Sequence, residues 1–376
     1  MAGTFLDSEL TVARASRVTF DVAGRKDDAA IRRLLRENPM AGRIALTFER
    51  EPDYFADSSL AGETKQTIVA RMDGRIVCMG SCAFRQRFVN GTPARVGYLG
   101  ALRLDFSVAG RMDILRRGYE FFRDLQSAGP ADWYFTSIAS DNLRARRLLE
   151  RGARGFPIYD FIGEFVTLVM TTCCPNRDTR VNRQSSIVNE LAGFLRASGK
   201  QFQFAPAWSA SDLADLELLG LPLERFHIHR ENSRFAACAA LWDQRGFRQT
   251  VVRGYAPALA AIRPAFNLIA RPLGLPRLPR PDQALANGFI SHLACADDKP
   301  DRLLDLIRHC RALASQSGLD LVTIGFAAND PRLPLVQRAF RHREYRSRLY
   351  VVHWPGIGHG ASDLDHRIPA PEVATL

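Results

Sequence analysis

The feature that most constrains this chain is an internal echo. The stretch YFTSIASDNLRARRLLER (134–151) and the stretch LVTIGFAANDPRLPLVQRA (321–339) share one pattern: an apolar strand, a turn spelled ASDN or AAND, then a helix with arginine in its first turn. They lie about 190 residues apart. A chain of 376 residues exceeds the usual size of one compact core. The repeat therefore predicts two copies of one fold, over 17–170 and 185–355. Between them TTCCPNRDTRVNRQ (171–184) is polar and aperiodic and reads as a linker, and the Gly- and Pro-rich 356–376 reads as a flexible tail.

Periodicity fills in the first copy. RVTFDVA alternates as a strand, and DDAAIRRLLREN opens on aspartates suited to a helix N-terminus and spaces Ile31, Leu34 and Leu35 as a helix does. Turns at MDG and VNGTP divide the next stretch into a three-stranded meander. A strand, loop and helix follow in LRLDFSVAGRMDILRRGYEFF (102–122), then the repeated strand and helix, then the strand IYDFIGEFVTLVM. The class is α/β, a mixed central sheet flanked by helices. The second copy follows the same order and carries an extra segment, 256–286, with six prolines around an apolar helical core. Packing as a cover and docking to a lipid or partner are both open for it, with Pro264 and Pro272 expected to interrupt a long helix.

Composition limits the function classes. The net charge of +11 suggests polyanionic ligands, but the arginines are scattered as pairs on helices, and no basic patch is interleaved with aromatics, so nucleic acid is not the expected partner. No apolar run approaches the roughly 18 residues that span a bilayer, and the N-terminus does not read as a signal peptide, so a cytoplasmic protein is expected. The seven cysteines form no C-x-x-C pair and are expected as reduced thiols, with adjacent Cys173 and Cys174 in the linker. His227 and His229 share a strand face without a third ligand nearby in sequence, so no metal site is expected.

The loop after Leu104 carries the chemistry. Backbone N–H groups where a strand turns into a helix form an anion nest, and Arg111 at that helix start adds a charge suited to phosphate. The segment from Tyr98 to Phe122, with SIASDNLRARRLLERG, resembles the GCN5-related N-acetyltransferase (GNAT) superfamily, over about 18–170 and more faintly 187–354. MAGRIALTFEREPDYF (40–55) is similar to a helical region of one tandem branch of that superfamily.

The resemblance implies two tandem GNAT-like folds and an acyl-CoA donor, acetyl-CoA or another acyl-CoA. It implies N-acylation of a small-molecule or peptide amine. Leu102, Arg103 and Leu104 fall on the strand that meets the pantetheine arm; Ala109, Gly110, Arg111, Met112 and Asp113 fall on the pyrophosphate loop; Asn142 falls on the family's cofactor-contacting asparagine. The loop departs from the motif, since Ala109 replaces its Arg or Gln, Met112 its central glycine and Ile114 its last small residue. Leu149 stands at the usual tyrosine, and Gly100 and Ala101 stand where a general base is expected. Asp105, Tyr98 and Tyr159 remain as catalytic candidates, with Asp105 also suited to capping the next turn. A non-catalytic GNAT-fold binding or regulatory module is the alternative. The second copy is expected to shape a groove, brace the first or mediate pairing as a homodimer.

Overall fold

The computed structural model describes residues 18–40, 42–58, 62–172, 187–270, 273, 275–296 and 300–376. Cys173, Cys174 and nearly all of the expected linker lie outside them.

The first half runs β1 (Val18–Val22), α1 (Asp28–Glu37), β2 (Ile44–Glu49), β3 (Thr64–Met72), β4 (Arg75–Val89), β5 (Thr92–Leu104), α2 (Met112–Gln126), β6 (Trp133–Ala139), α3 (Leu143–Leu149) and β7 (Ile158–Thr171). The second runs α4 (Val188–Gly199), α5 (Ala210–Asp215), β8 (Phe226–Glu231), β9 (Arg234–Trp242), β10 (Gln249–Tyr255), α6 (Pro257–Ala270), β11 (Gln283–Ala284), β12 (Asn287–Cys295), α7 (Pro300–Gln316), β13 (Leu321–Ala327), α8 (Leu333–Ala339) and β14 (His342–His353). Among the described residues, 40 and 42–55 are not helical. IALTFE alternates with period two, and β2 pairs antiparallel with β10 of the other half, Thr47 opposite Val251.

The two halves share one eleven-stranded sheet, β1-β3-β4-β5-β6-β14-β7-β13-β12-β9-β8. The last strand of each half has crossed over. β14 lies between β6 and β7, with Tyr350 opposite Thr136 on one side and Phe161 on the other, while β7 pairs with β13, Val166 opposite Phe326. The boundary between the copies is a boundary in sequence and not a break in the sheet.

Neighbouring residues of β3 show how the layers form. Val69 packs with Ile31, Leu34 and Leu35 of α1, and Ala70 packs with Ile114 and Leu115 of α2 on the opposite face. In the second half α7 covers β9, β12 and β13, and its Leu303, Leu306, Ile307 and Cys310 share one core with Val166, Leu168 and Met170 of β7. Among the described residues no helix is long and apolar enough to cross a membrane.

The tail departs from its expected flexibility. Gln203 donates its backbone N–H to Ile368 and accepts one from Ala370 (3.0 and 2.8 Å), and Ala374 and Thr375 are buried. Arg248 and Gln244 donate to the Ala374 carbonyl, and the wholly buried Arg87 donates to the Thr375 hydroxyl. A backbone paired and buried in this way is ordered whatever its composition. Pro264 likewise does not end α6, which continues to Ala270. One intrahelical hydrogen bond is forgone there, and the ring sits on the exposed side.

Candidate functional site

β5 and β6 run parallel and pair from Val96–Trp133 to Leu99–Thr136, where the register stops. Thr136 closes the last rung by donating its hydroxyl to the Leu99 carbonyl at 2.6 Å. Beyond it the strands separate, and Gly100 to Leu104 face Ser137 to Ala139 across a gap. A bulge against β4 sharpens the separation: partners shift between Met79 and Ser81, and Ala101 adopts φ 52°.

A cavity of about 450 Å³ opens at this gap and reaches both faces of the sheet. Beneath α2 it is lined by Cys78, Cys82, Ile114, Gly118, Tyr119 and Tyr159. Tyr119 and Tyr159 share a 2.6 Å hydrogen bond; burial pushes the Tyr119 phenol up to about 12 and raises Tyr159 further. Burial also pushes the Cys78 thiol up to about 12, so it stays protonated.

On the α1 face the lining is charged: Arg50, Glu63, Lys65 and Arg248, with Tyr98 beside them and Thr375 and Leu376 closing the wall. Asp57 behind them gathers three cations, Arg50 and Lys65 at 2.5 Å and Arg248 at 3.0 Å. Against the burial that would raise it, these cations hold the Asp57 carboxyl far below the usual range. Burial, with the nearby charge of Arg50, pushes the Lys65 ammonium down to about 7 despite Asp57. Glu63 is buried, accepts a long 3.5 Å contact from Arg85, and is the one acidic side chain in the cavity wall among the described residues. Burial raises the Tyr98 phenol to about 12.

The structure brings some of the sequence-derived site residues together and leaves others apart. Leu102, Arg103, Asn142, Tyr98 and Tyr159 line the cavity; Leu104, Asp105 and the loop from Ala109 to Asp113 do not. Asp105 is engaged in capping: it accepts from the Ser107 amide and hydroxyl at 2.8 and 2.6 Å and from Arg75 at 3.0 Å. Asn142 caps α3 by accepting from the Ala145 amide.

The loop has largely satisfied itself. Gly110 takes φ 91°, where a side chain is disfavoured. The amides of Arg111, Met112 and Ile114 bond the carbonyls of Val108, Gly110 and Arg111. Arg111 forms a two-point pair with Asp113, both bonds 2.7 Å, so the loop's own carboxylate holds the cation expected for a pyrophosphate.

The second half has the same gap, and it is filled. β12 and β13 pair from Asn287–Leu321 to Phe289–Thr323 and then part, with a bulge between Ser291 and Ala294 and His292 at φ 53°. Into this gap the tail inserts Pro371, Glu372 and Val373. The Glu372 carboxylate accepts from the His292 amide at 2.8 Å, and a Cβ on Gly325 would meet Val373 at 3.0 Å. What remains open is about 80 Å³.

His227 and His229 bring their Nε2 atoms to 3.2 Å, with His309 stacked on His227. Among the described residues no group of three or more His, Cys, Asp or Glu is placed to hold a metal ion.

Sequence reasoning did not find Glu63, Lys65, Arg50 and Arg248. Glu63 and Lys65 are neighbours at the entry to β3, but Arg50 and Arg248 lie about 200 residues apart, and no local spacing joins all four. The available signal was Glu63 and Lys65, two residues apart at the entry to β3, with Arg50 inside the 40–55 segment likened to a helical region.

No protein-family model matches the chain, and no curated protein matches it by sequence. Solved structures do. A GCN5-related N-acetyltransferase from Sphaerobacter thermophilus is 11% identical, with 91% of this chain and 98% of that one covered at TM-score 0.55. Saccharomyces cerevisiae N-myristoyltransferase with bound myristoyl-CoA is 10% identical, with 94% and 88% covered at TM-score 0.59. At such identities the likeness is one of fold: the chain is built as two tandem GNAT-type folds with a mixed central sheet and flanking helices.

Proposed function

We propose that the chain is an acyl-CoA-dependent N-acyltransferase whose one working site is the open gap of the first half, and that its acceptor is an amine. The observation that carries this reading is the parting of β5 and β6 past Leu99 and Thr136, directly onto a cavity that is apolar on the α2 side and charged on the α1 side. The fit of the donor is good along Gly100 to Leu104, where strand groups face no partner strand. It is poorer at the loop, where Asp113 competes for Arg111. Arg144 and Arg147, exposed on α3 and outside any ion pair among the described residues, supply positive charge for the phosphates.

In this reading the thioester carbonyl lies beside Ala101 and the amine enters from the charged side. Glu63 takes the first proton from the attacking ammonium and passes it to solvent, nitrogen bonds to the carbonyl carbon, and the carbon–sulfur bond breaks as Tyr98, whose phenol is protonated at neutral pH, gives its proton to the departing thiolate; the second nitrogen proton then restores the Tyr98 phenol, leaving the neutral amide. Arg50, Arg248 and Asp57 keep the acceptor side charged, while Lys65, pushed down to about 7, exchanges its proton near neutral pH. The second half braces the first: its own gap is closed by the tail.

A second reading, a non-catalytic acyl-CoA-binding module, is favoured by the Arg111–Asp113 pair and the self-satisfied loop. Release of free thiol from acyl-CoA in the presence of a panel of amines separates the two. Turnover above background supports the enzyme; binding without turnover supports the module.

A further inference from the structure

α6 has its polarity turned inside out. Its two polar side chains, Arg263 and Asn267, point inward and are engaged by the returning chain: Asn267 donates to and accepts from the backbone of Leu278, each at 2.9 Å, and Arg263 reaches the carbonyls of Leu278 and Pro279. Tyr255 anchors the same strip by donating to Pro279 at 2.7 Å. The arc that faces water is wholly apolar. Leu268 is 81% exposed, Ile262 57% and Ile269 53%, with Ala261 and Ala265 between them and Leu273 just past the helix end. A solvated helix places its polar residues outward; this one does the reverse, and so has the surface of a helix that faces something other than water.

The charge beside this face names the occupant. From Ala256 to Pro281 the sequence holds four arginines and no Asp or Glu. Arg277 and Arg280 are exposed on the strip that runs along the helix, and Arg43 is exposed where its carbonyl accepts the Ala256 amide. None of the three side chains meets a carboxylate among the described residues. The nearest acid in sequence, Asp282, is paired with Arg253 at 2.6 Å. An apolar helical face bordered by unpaired arginines fits the interface of an anionic lipid bilayer, with the helix lying in the plane and the guanidinium groups at the phosphates.

We propose that α6, with Arg43, Arg277 and Arg280 beside it, forms a peripheral membrane-docking site for anionic lipid. Seven residues of β10 join it to Arg248 in the cavity wall, about 20 Å away at strand rise. The proposal stands on the helix and its arginines, and is independent of what the cavity binds.

The test is co-sedimentation of the full chain with vesicles of phosphatidylcholine alone and of phosphatidylcholine mixed with phosphatidylglycerol. The expected result is retention on the mixed vesicles, weakening as salt rises, about tenfold weaker for Leu268→Glu and about fivefold weaker for each of Arg277→Ala and Arg280→Ala. The side chains changed face solvent, so the variants keep the wild-type melting temperature. A Leu268→Trp variant should shift its emission to the blue on the mixed vesicles. Retention on neither vesicle, equal retention on both, or a wild-type dimer dissolved by Leu268→Glu would overturn the proposal, the last by making a second copy of the chain the occupant.

Discussion

Ala101 in β5 and His292 in β12 hold the same left-handed backbone conformation, φ 52° and 53°, at the same bulge in the two halves. Around Ala101 the neighbouring strands part onto an open cavity; around His292 they part onto Glu372 of the chain's own tail. One geometry has been kept twice and left open once.

Glu372→Ala removes the acceptor of the His292 amide and leaves that N–H buried without a partner. Such a loss costs about 1–3 kcal/mol, and it should appear as a lower urea midpoint. A midpoint unchanged from wild type would mean that the tail adds nothing to the second half.

Glu63→Gln keeps the shape of the cavity wall and removes the only acidic side chain in it among the described residues. Acyl-CoA affinity should be unchanged while turnover falls by about 10²–10⁴, the range for losing a general base. Equal turnover would place the proton acceptor elsewhere.

Lys65 carries a pH dependence whose sign can be worked out. Its folded value of about 7 lies below the ordinary 10.5, so between these values the unfolded chain holds the proton and the folded chain does not. Its contribution to stability therefore rises with pH across that window and is absent below it. The neutral amine should also react with an amine-selective reagent at a rate that rises through about pH 7, read by mass spectrometry of the Lys65 peptide. A rise only near 10 would show that the ammonium persists.

Asp113→Asn frees Arg111 and removes a negative charge from the start of α2. If phosphate binds there, acyl-CoA affinity rises by about two- to fivefold. An unchanged affinity would place the phosphates away from this loop.

Much of the fold was legible because it is local. The 134–151 and 321–339 echo gave the tandem arrangement, and the periodicities of β1, α1, the β3 to β5 meander and α2 gave the order of layers. What depends on long-range pairing was not legible. The exchange of β7 and β14 leaves no mark in either strand's own pattern, and β2 declares itself a strand through β10, some 200 residues away. The tail reads as disorder by composition, since its order comes from partners such as Gln203 and Arg87. The site divides in the same way: Leu102, Arg103, Tyr98 and Asn142 come from the two motif stretches and Tyr159 from the strand after them, but the grouping of Arg50, Glu63, Lys65 and Arg248 exists only in three dimensions. Arg111 stands just before the first residue of α2, where the loop turns into the helix, and its pairing with a residue two positions on was not anticipated.

The most direct test of the central claim is amide hydrogen exchange with and without acyl-CoA, using both acetyl-CoA and dodecanoyl-CoA. Protection confined to Gly100–Leu104 and Ser137–Ala139, with Ile290–Cys295 unaffected, is the predicted result. Protection at Ile290–Cys295, or none at either gap with either donor, would contradict it.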